Sequence, residues 1–273
     1  MKKTAGIILS LSLAASVLAA CGNDKKDDAA AGSDDKLIVG VTGGPHEKIA
    51  REAAKVAKED GLDVELKVFS DYVLPNTSLE QGDLDANSFQ TLTFLANYNA
   101  EKKGNLVSVG TTILTPMGLY SKKVKSLDKL KDGSKIAIPN DASNGARALE
   151  VLVQNKLITL KDTGDTLPTP KDIDKNPHQF TFVELEASQL PRQLDEVDAA
   201  VINTNFVLEA GMDTKSALAV ESTDSPHINA IVVEKSHIND ADVKKFVKAY
   251  HSETVKKYIE KEFDGAVIPV FNK

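Results

Sequence analysis

The sequence predicts an α/β fold of two lobes, between which the chain crosses twice. Two strand–loop–helix–strand units, at residues 36–69 and 135–185, repeat the pattern that is typical of parallel sheets. Extended apolar segments at residues 106–120 and 227–233 can carry the chain to the second lobe and back. Two such crossings define a clamshell. A single large α/β domain is the alternative that the pattern leaves open.

The first unit begins with an apolar strand at residues 36–41. A helix follows, because Ile49, Ala53, Val56 and Ala57 recur at the spacing of one helical face. Gly61 ends this helix. Residues 64–69 then alternate in polarity, which predicts the second strand.

The second unit has a strand at residues 135–138, a loop at residues 139–145 and a helix at residues 146–155. The helix has an apolar face of Ala148, Leu149, Leu152 and Val153. Further strands are predicted at residues 180–185 and 199–203. A last helix, at about residues 240–263, is expected to pack on the first lobe.

The N-terminal segment predicts export and lipidation. A basic start at Lys2 and Lys3 precedes a short apolar run at residues 5–18, which is typical of a signal peptide. The run ends in a lipobox, Leu-Ala-Ala at residues 18–20 followed by Cys21, the one cysteine of the chain. A free thiol after a signal peptide is the alternative. Residues 23–35 lack large apolar side chains, which favours a flexible tether.

These observations divide the chain into four parts. Residues 1–20 form the signal peptide, and residues 21–35 the lipidated Cys21 with its tether. Residues 36–115 and 230–273 form lobe I, and residues 116–229 form lobe II. Lipidation places the protein at the cell membrane, on its extracytoplasmic face.

Several function classes are excluded by the sequence. It contains no phosphate-binding loop, no HExxH and no GxSxG, so no enzymatic activity is expected. Residues 83–87 begin like a calcium loop, but Ser88 and Phe94 stand where such a loop needs Gly and Glu. The net charge of −7, with no basic cluster, argues against nucleic acid. Neither a metal nor a cofactor is expected.

Five side chains are candidates for binding a small zwitterion at the lobe interface, where clamshell proteins hold their ligands. Arg147 is predicted in the first turn of a helix, where its guanidinium and the helix dipole would act on one carboxylate. Asn203 and Asn229 adjoin apolar strands, and Tyr72 and Phe89 flank a polar turn. The alternatives are an exposed arginine, amides that cap turns, and aromatic rings of the core.

The chain resembles the methionine-binding lipoproteins of the NlpA/MetQ family. The segments that carry the resemblance are SDYVLPN at 70–76, GDLDANSFQ at 82–90, PND at 139–141, VELEA at 183–187, QLPR at 189–192, AVINT at 200–204 and GAV at 265–267. The family implies a periplasmic-binding-protein-like clamshell of type II. It also implies a monomer that delivers L-methionine, or a close analogue, to an ABC transporter permease with a separate ATPase subunit.

The resemblance also implies roles for residues. Arg147 would hold the ligand carboxylate, Asn203 and Asn229 its polar end, and Tyr72 and Phe89 its side chain. Two further pocket positions depart from the family pattern. Thr91 stands where many members have His, and Phe94 where they have Tyr.

The departure at Thr91 leaves the exact ligand open. It removes an imidazole from the pocket wall and leaves extra room, so a methionine-containing dipeptide, D-methionine and methionine sulfoxide are alternatives to L-methionine. An extracytoplasmic hydrolase and a surface adhesin are competing functions. The sequence supplies no nucleophile–base motif for the first and no specific feature for the second.

Overall fold

The computed structural model describes residues 36–271. The strands are β1 (Leu37–Thr42), β2 (Val64–Phe69), β3 (Ala86–Thr91), β4 (Leu106–Leu114), β5 (Gly118–Tyr120), β6 (Lys135–Pro139), β7 (Thr159–Leu160), β8 (Ile173–Lys175), β9 (Thr181–Leu185), β10 (Ala199–Ile202), β11 (Ala219–Val220), β12 (Ile228–Glu234) and β13 (Ile268–Pro269). The α-helices are α1 (Pro45–Glu59), α2 (Leu74–Glu80), α3 (Leu92–Lys102), α4 (Ala142–Gln154), α5 (Leu190–Gln193), α6 (Thr204–Glu209), α7 (Ala241–Tyr250) and α8 (Glu253–Phe263).

Two mixed sheets form the centres of two lobes. The sheet of lobe I has the order β13-β4-β12-β3-β1-β2, and that of lobe II the order β11-β5-β10-β6-β9. In lobe I, β1 pairs in parallel with β2 and β3, while β12 runs antiparallel to β3 and β4. In lobe II, β6 pairs in parallel with β9 and β10. The predicted two-lobed α/β architecture is confirmed.

The chain passes between the sheets at two places. Residues 115–117 connect β4 of lobe I to β5 of lobe II, and residues 221–227 connect β11 back to β12. These two segments, which we call the crossovers, are hydrogen-bonded to each other through the backbone of Glu221 and Met117. The lobe boundaries assigned from the sequence stay a prediction.

Each lobe has its own apolar core. In lobe I, α1 packs against α7 and α8, and Ile49 of α1 is fully buried together with Phe246 and Ile259. Burial of one such side chain contributes roughly 1.5–3 kcal/mol. In lobe II the two faces of the sheet carry separate clusters, one around Leu149 and Ile138, the other around Leu190. Each lobe is therefore stabilised by an apolar core of its own.

Two local expectations are wrong. The helix predicted from residue 146 begins at Ala142, because Asp141 caps it by accepting a hydrogen bond from the Asn144 backbone N–H at 2.9 Å. The predicted last helix is two helices, since Ser252 caps the second through the Val255 N–H.

Candidate ligand-binding site

A pocket between the lobes brings together all the binding residues that the sequence predicts. The empty space between its walls, part of which is open to solvent, amounts to about 290 Å³. Most of its residues adjoin the carboxyl ends of strands, where ligands of α/β sheets bind. Its walls are His46, Tyr72, Phe89, Gln90, Thr91, Phe94, Thr115, Asn144, Arg147, Asn203, Asn205 and Asn229.

Arg147 is the cation of this pocket, and its side chain is 2% exposed. Nε donates to both carboxylate oxygens of Glu221 at 2.9 and 3.1 Å, and Nη2 donates to Glu221 at 2.6 Å and to the Thr115 carbonyl at 2.9 Å. Nη1 makes no hydrogen bond to any residue between 36 and 271. The guanidinium is thus held on one edge and keeps a donor for a further partner.

One expectation about Arg147 is wrong. Because α4 begins at Ala142, Arg147 lies in the second turn of the helix and not in the first. The helix dipole acts mainly within the first turn. Arg147 is also not an exposed arginine on a solvated face, since it is buried against Glu221. The ion pair, and not the helix end, determines the electrostatics here.

Asn203 presents an unpaired acceptor beside Arg147. It stands at the N-cap position of α6, but its side chain does not cap the helix. Instead Nδ2 donates to Asn144 Oδ1 at 2.8 Å, while the buried Oδ1 has no partner among the described residues. Asn144 in turn donates to the Asp141 carboxylate at 3.0 and 3.1 Å. An oxygen so placed can accept from an ammonium group.

Aromatic rings form the other part of the pocket. The centroid distances are 5.9 Å for Tyr72 and Phe89, 6.0 Å for Tyr72 and Phe94, and 6.0 Å for Phe89 and Phe94. Phe206 packs against Tyr72 with its ring tilted by 38° and a centroid distance of 4.9 Å. The Tyr72 hydroxyl, in lobe I, donates to Asn205 Oδ1, in lobe II, at 2.5 Å. Burial raises the pKa of this hydroxyl, so it stays protonated.

Thr91 and Asn229 lie opposite each other on β3 and β12. The Thr91 hydroxyl oxygen accepts from the Phe94 backbone N–H at 3.1 Å and so caps α3, the helix that carries the Phe94 ring. Asn229 Nδ2 donates to the Ile113 carbonyl at 3.0 Å. Thr91 therefore stabilises the start of α3 in addition to lining the pocket.

Five wall residues were missed by sequence reasoning, namely His46, Gln90, Thr115, Asn144 and Asn205. His46 is the second residue of α1 and follows the end of β1 by four residues, and this position near a strand end was the available signal. Its Nδ1 is buried without a partner among the described residues. Burial lowers the pKa of His46 to about 4, so the imidazole is neutral at neutral pH.

No helix among residues 36–271 is long and apolar enough to cross a membrane. The predicted signal peptide, the lipidation at Cys21 and the tether all lie outside the described residues.

The chain matches the NlpA lipoprotein family over residues 37–271. It belongs to this family. Among curated NlpA-type relatives, the D-methionine-binding lipoprotein MetQ of Salmonella typhi is 46% identical over 255 residues, which are 92% of each chain. Outer membrane lipoprotein 3 of Mannheimia haemolytica is 44% identical over 268 residues, 97% of each chain.

Solved structures support the same assignment. A nutrient-binding protein from Burkholderia cenocepacia, solved with methionine bound, superposes with a TM-score of 0.84 at 46% identity, over 86% of this chain and all of that one. The methionine-binding protein MetQ also gives a TM-score of 0.84, at 44% identity, over 87% of this chain and 99% of that one. The predicted membership in the family of methionine-binding lipoproteins is confirmed.

Proposed function

We propose that this chain is the substrate-binding lipoprotein of an ABC importer and that it captures methionine, preferentially the L-enantiomer, between its lobes. The observation that carries the proposal is the polarity of the pocket. A buried guanidinium with a spare donor and a buried, unpaired amide oxygen stand beside three aromatic rings. This arrangement matches the carboxylate, the ammonium and the thioether of methionine, since sulfur–ring contacts contribute about 0.3–1.5 kcal/mol each.

Close analogues of L-methionine are the alternative ligands, and methionine sulfoxide and methionine-containing dipeptides stay among them. D-Methionine is the second candidate, because the Salmonella typhi relative carries that ligand in its name.

In this proposal the lipid on Cys21 holds the protein at the extracytoplasmic face of the membrane. Ligand closes the lobes about the crossovers, and the closed form docks on a permease whose ATPase is a separate subunit. Each protein acts as a monomer. Competing roles as a hydrolase or an adhesin gain nothing from the pocket, which has no nucleophile beside a base.

Calorimetric titration tests the proposal. The full-length protein, purified in detergent and dialysed exhaustively to remove bound ligand, is titrated with L-methionine, D-methionine, methionine sulfoxide and glycyl-methionine. We expect L-methionine to bind with a Kd below about 1 μM, which corresponds to about −8 kcal/mol. A tighter complex with D-methionine would assign the other enantiomer. Failure of all four ligands to bind would refute the proposal.

A further inference from the structure

A glutamate that lines no part of the pocket is bound to its arginine. Glu221 is 4% exposed and follows β11, at the start of the second crossover. Burial alone raises the pKa of a carboxyl group, but the hydrogen bonds and charge of Arg147 outweigh this effect and hold the pKa of Glu221 below its ordinary value. Glu221 is thus ionised, and the Arg147 charge is compensated inside the protein.

The same carboxylate connects both crossovers. Oε2 accepts from the Met117 backbone N–H at 2.8 Å, on the first crossover. Oε1 accepts from the Ser225 hydroxyl at 2.6 Å, on the second. Both oxygens also accept from Arg147. Each carboxylate oxygen of Glu221 therefore binds both Arg147 and one of the two crossovers.

We propose that Glu221 is the residue that positions Arg147 and sets the charge selectivity of the pocket, so that a zwitterion is preferred over an anion of the same shape. This inference rests on the proposed function. Because Glu221 occupies Nε and Nη2, the ligand carboxylate meets Nη1 alone and is recognised by a directed hydrogen bond. Because Glu221 also cancels the arginine charge, a ligand without an ammonium group gains no net attraction.

The compensation of the Arg147 charge by Glu221 determines which ligands can test the inference. Methionine is neutral overall, whereas its 2-hydroxy analogue, 2-hydroxy-4-(methylthio)butanoate, has the same shape and a net negative charge. Methionine amide keeps the ammonium and has a net positive charge. An ionised Glu221 stabilises the ammonium of the ligand through space and disfavours the hydroxy acid. Removing the charge of Glu221 therefore changes the order of affinity for the three ligands.

The test uses Glu221→Gln, which preserves size and removes the charge, in the full-length protein in detergent. Kd values for L-methionine, its hydroxy analogue and methionine amide are measured by calorimetry. Relative to the wild type, we expect the affinity for the hydroxy acid divided by that for methionine to rise about tenfold or more. The affinity for methionine amide divided by that for methionine should fall. Glu184→Gln, the same change on the exposed face of lobe II, is the control and should leave all ratios unchanged.

A second variant separates charge from position. Glu221→Asp keeps the charge but withdraws the carboxylate from Arg147, so it should weaken all three ligands and preserve their ratios. If Glu221→Gln folds only with ligand, the comparison is made as refolding yield, and the hydroxy acid should rescue more protein than methionine does.

Two results would overturn the inference, and they are distinguishable. Equal loss of affinity for all three ligands in Glu221→Gln, or equal rescue by them, would make Glu221 a purely structural residue. If the wild-type protein binds none of the three ligands, the proposed function fails, and the inference fails with it.

Discussion

At the scale of single residues, Arg147 is the proposed partner of the ligand carboxylate and is also the cation that pairs with the buried Glu221. We expect Arg147→Ala to lower the affinity for methionine about 10²-fold, because the carboxylate of the ligand loses its donor. A charge-assisted hydrogen bond of this kind contributes about 1.5–3 kcal/mol. The variant also leaves Glu221 buried without its cation, which costs about 3–5 kcal/mol of unfolding free energy. Calorimetry and urea denaturation measure the two effects.

A double variant distinguishes these two roles of Arg147. Arg147→Ala with Glu221→Ala removes both buried charges, so it should regain part of the lost stability and none of the lost affinity. Unchanged methionine affinity in the single variant would remove Arg147 from the site.

His46 makes the stability of the fold depend on pH. The unfolded chain binds a proton on this residue near its ordinary pKa of 6.5, whereas the folded chain binds one only near pH 4. Stability from the neutral imidazole is therefore present above pH 6.5 and is lost as the pH falls towards 4. The full effect is on the order of 3 kcal/mol.

We expect His46→Gln to flatten this dependence. Urea unfolding is measured between pH ~7 and ~4.5, and the variant should lose less stability over that range than the wild type. His178→Gln, at a partly exposed histidine on the surface of lobe II, is the control. Equal slopes for the wild type and His46→Gln would mean that another group is responsible.

Local sequence signals locate some residues of the pocket and cannot locate others. Arg147 and Asn203 were found because each follows a strand of a recognisable αβ unit, and the family resemblance supports them. Glu221 was not found, because its partner lies 74 residues away along the chain and no local pattern records the contact. Asn203 shows a second limit of sequence reasoning. A side chain at an N-cap position usually caps its helix, whereas the side chain of Asn203 does not cap α6.

At the scale of elements, strands were predicted more accurately than helix ends. The apolar runs of β1, β2, β6 and β9 gave nearly the observed bounds. The start of α4 was misplaced because Ser143, Asn144 and Gly145 have the composition of a loop, although Asp141 is a good N-cap. The break between α7 and α8 was missed because apolar periodicity continues across Ser252.

Two helix caps allow a matched test of how α4 positions the site. Asp141→Ala and Ser252→Ala each remove an N-cap and should each cost about 0.5–2 kcal/mol of unfolding free energy. Only Asp141→Ala should also weaken methionine binding, because Asp141 orients Asn144, which holds Asn203. The measurement is calorimetry beside urea denaturation. Similar methionine affinities in the two variants would contradict this coupling.

At the scale of the whole molecule, hydrogen bonds across the cleft join the two lobes. The two-lobed topology could be predicted from the two strand–loop–helix–strand units, because each unit buries its own apolar face. Contacts between the lobes could not be predicted, because they join distant polar side chains. The Tyr72–Asn205 hydrogen bond is one of them, and Lys215 of lobe II forms another with Asp264 of lobe I at 2.7 Å.

The hydrogen bond of Tyr72 gives a direct test of closure. Tyr72→Phe keeps the ring in the aromatic wall and removes the donor to Asn205, so the closed form loses a contact that spans the lobes. One such bond contributes about 0.5–1.5 kcal/mol, so methionine should dissociate about 2–10-fold faster in stopped-flow experiments. Tyr98→Phe is the matched control, because the Tyr98 hydroxyl donates to Glu80 within lobe I. If both variants released methionine at the wild-type rate, the Tyr72 contact would not stabilise closure. If Tyr98→Phe accelerated release as much as Tyr72→Phe, the effect would reside in lobe I alone and not in the contact between the lobes.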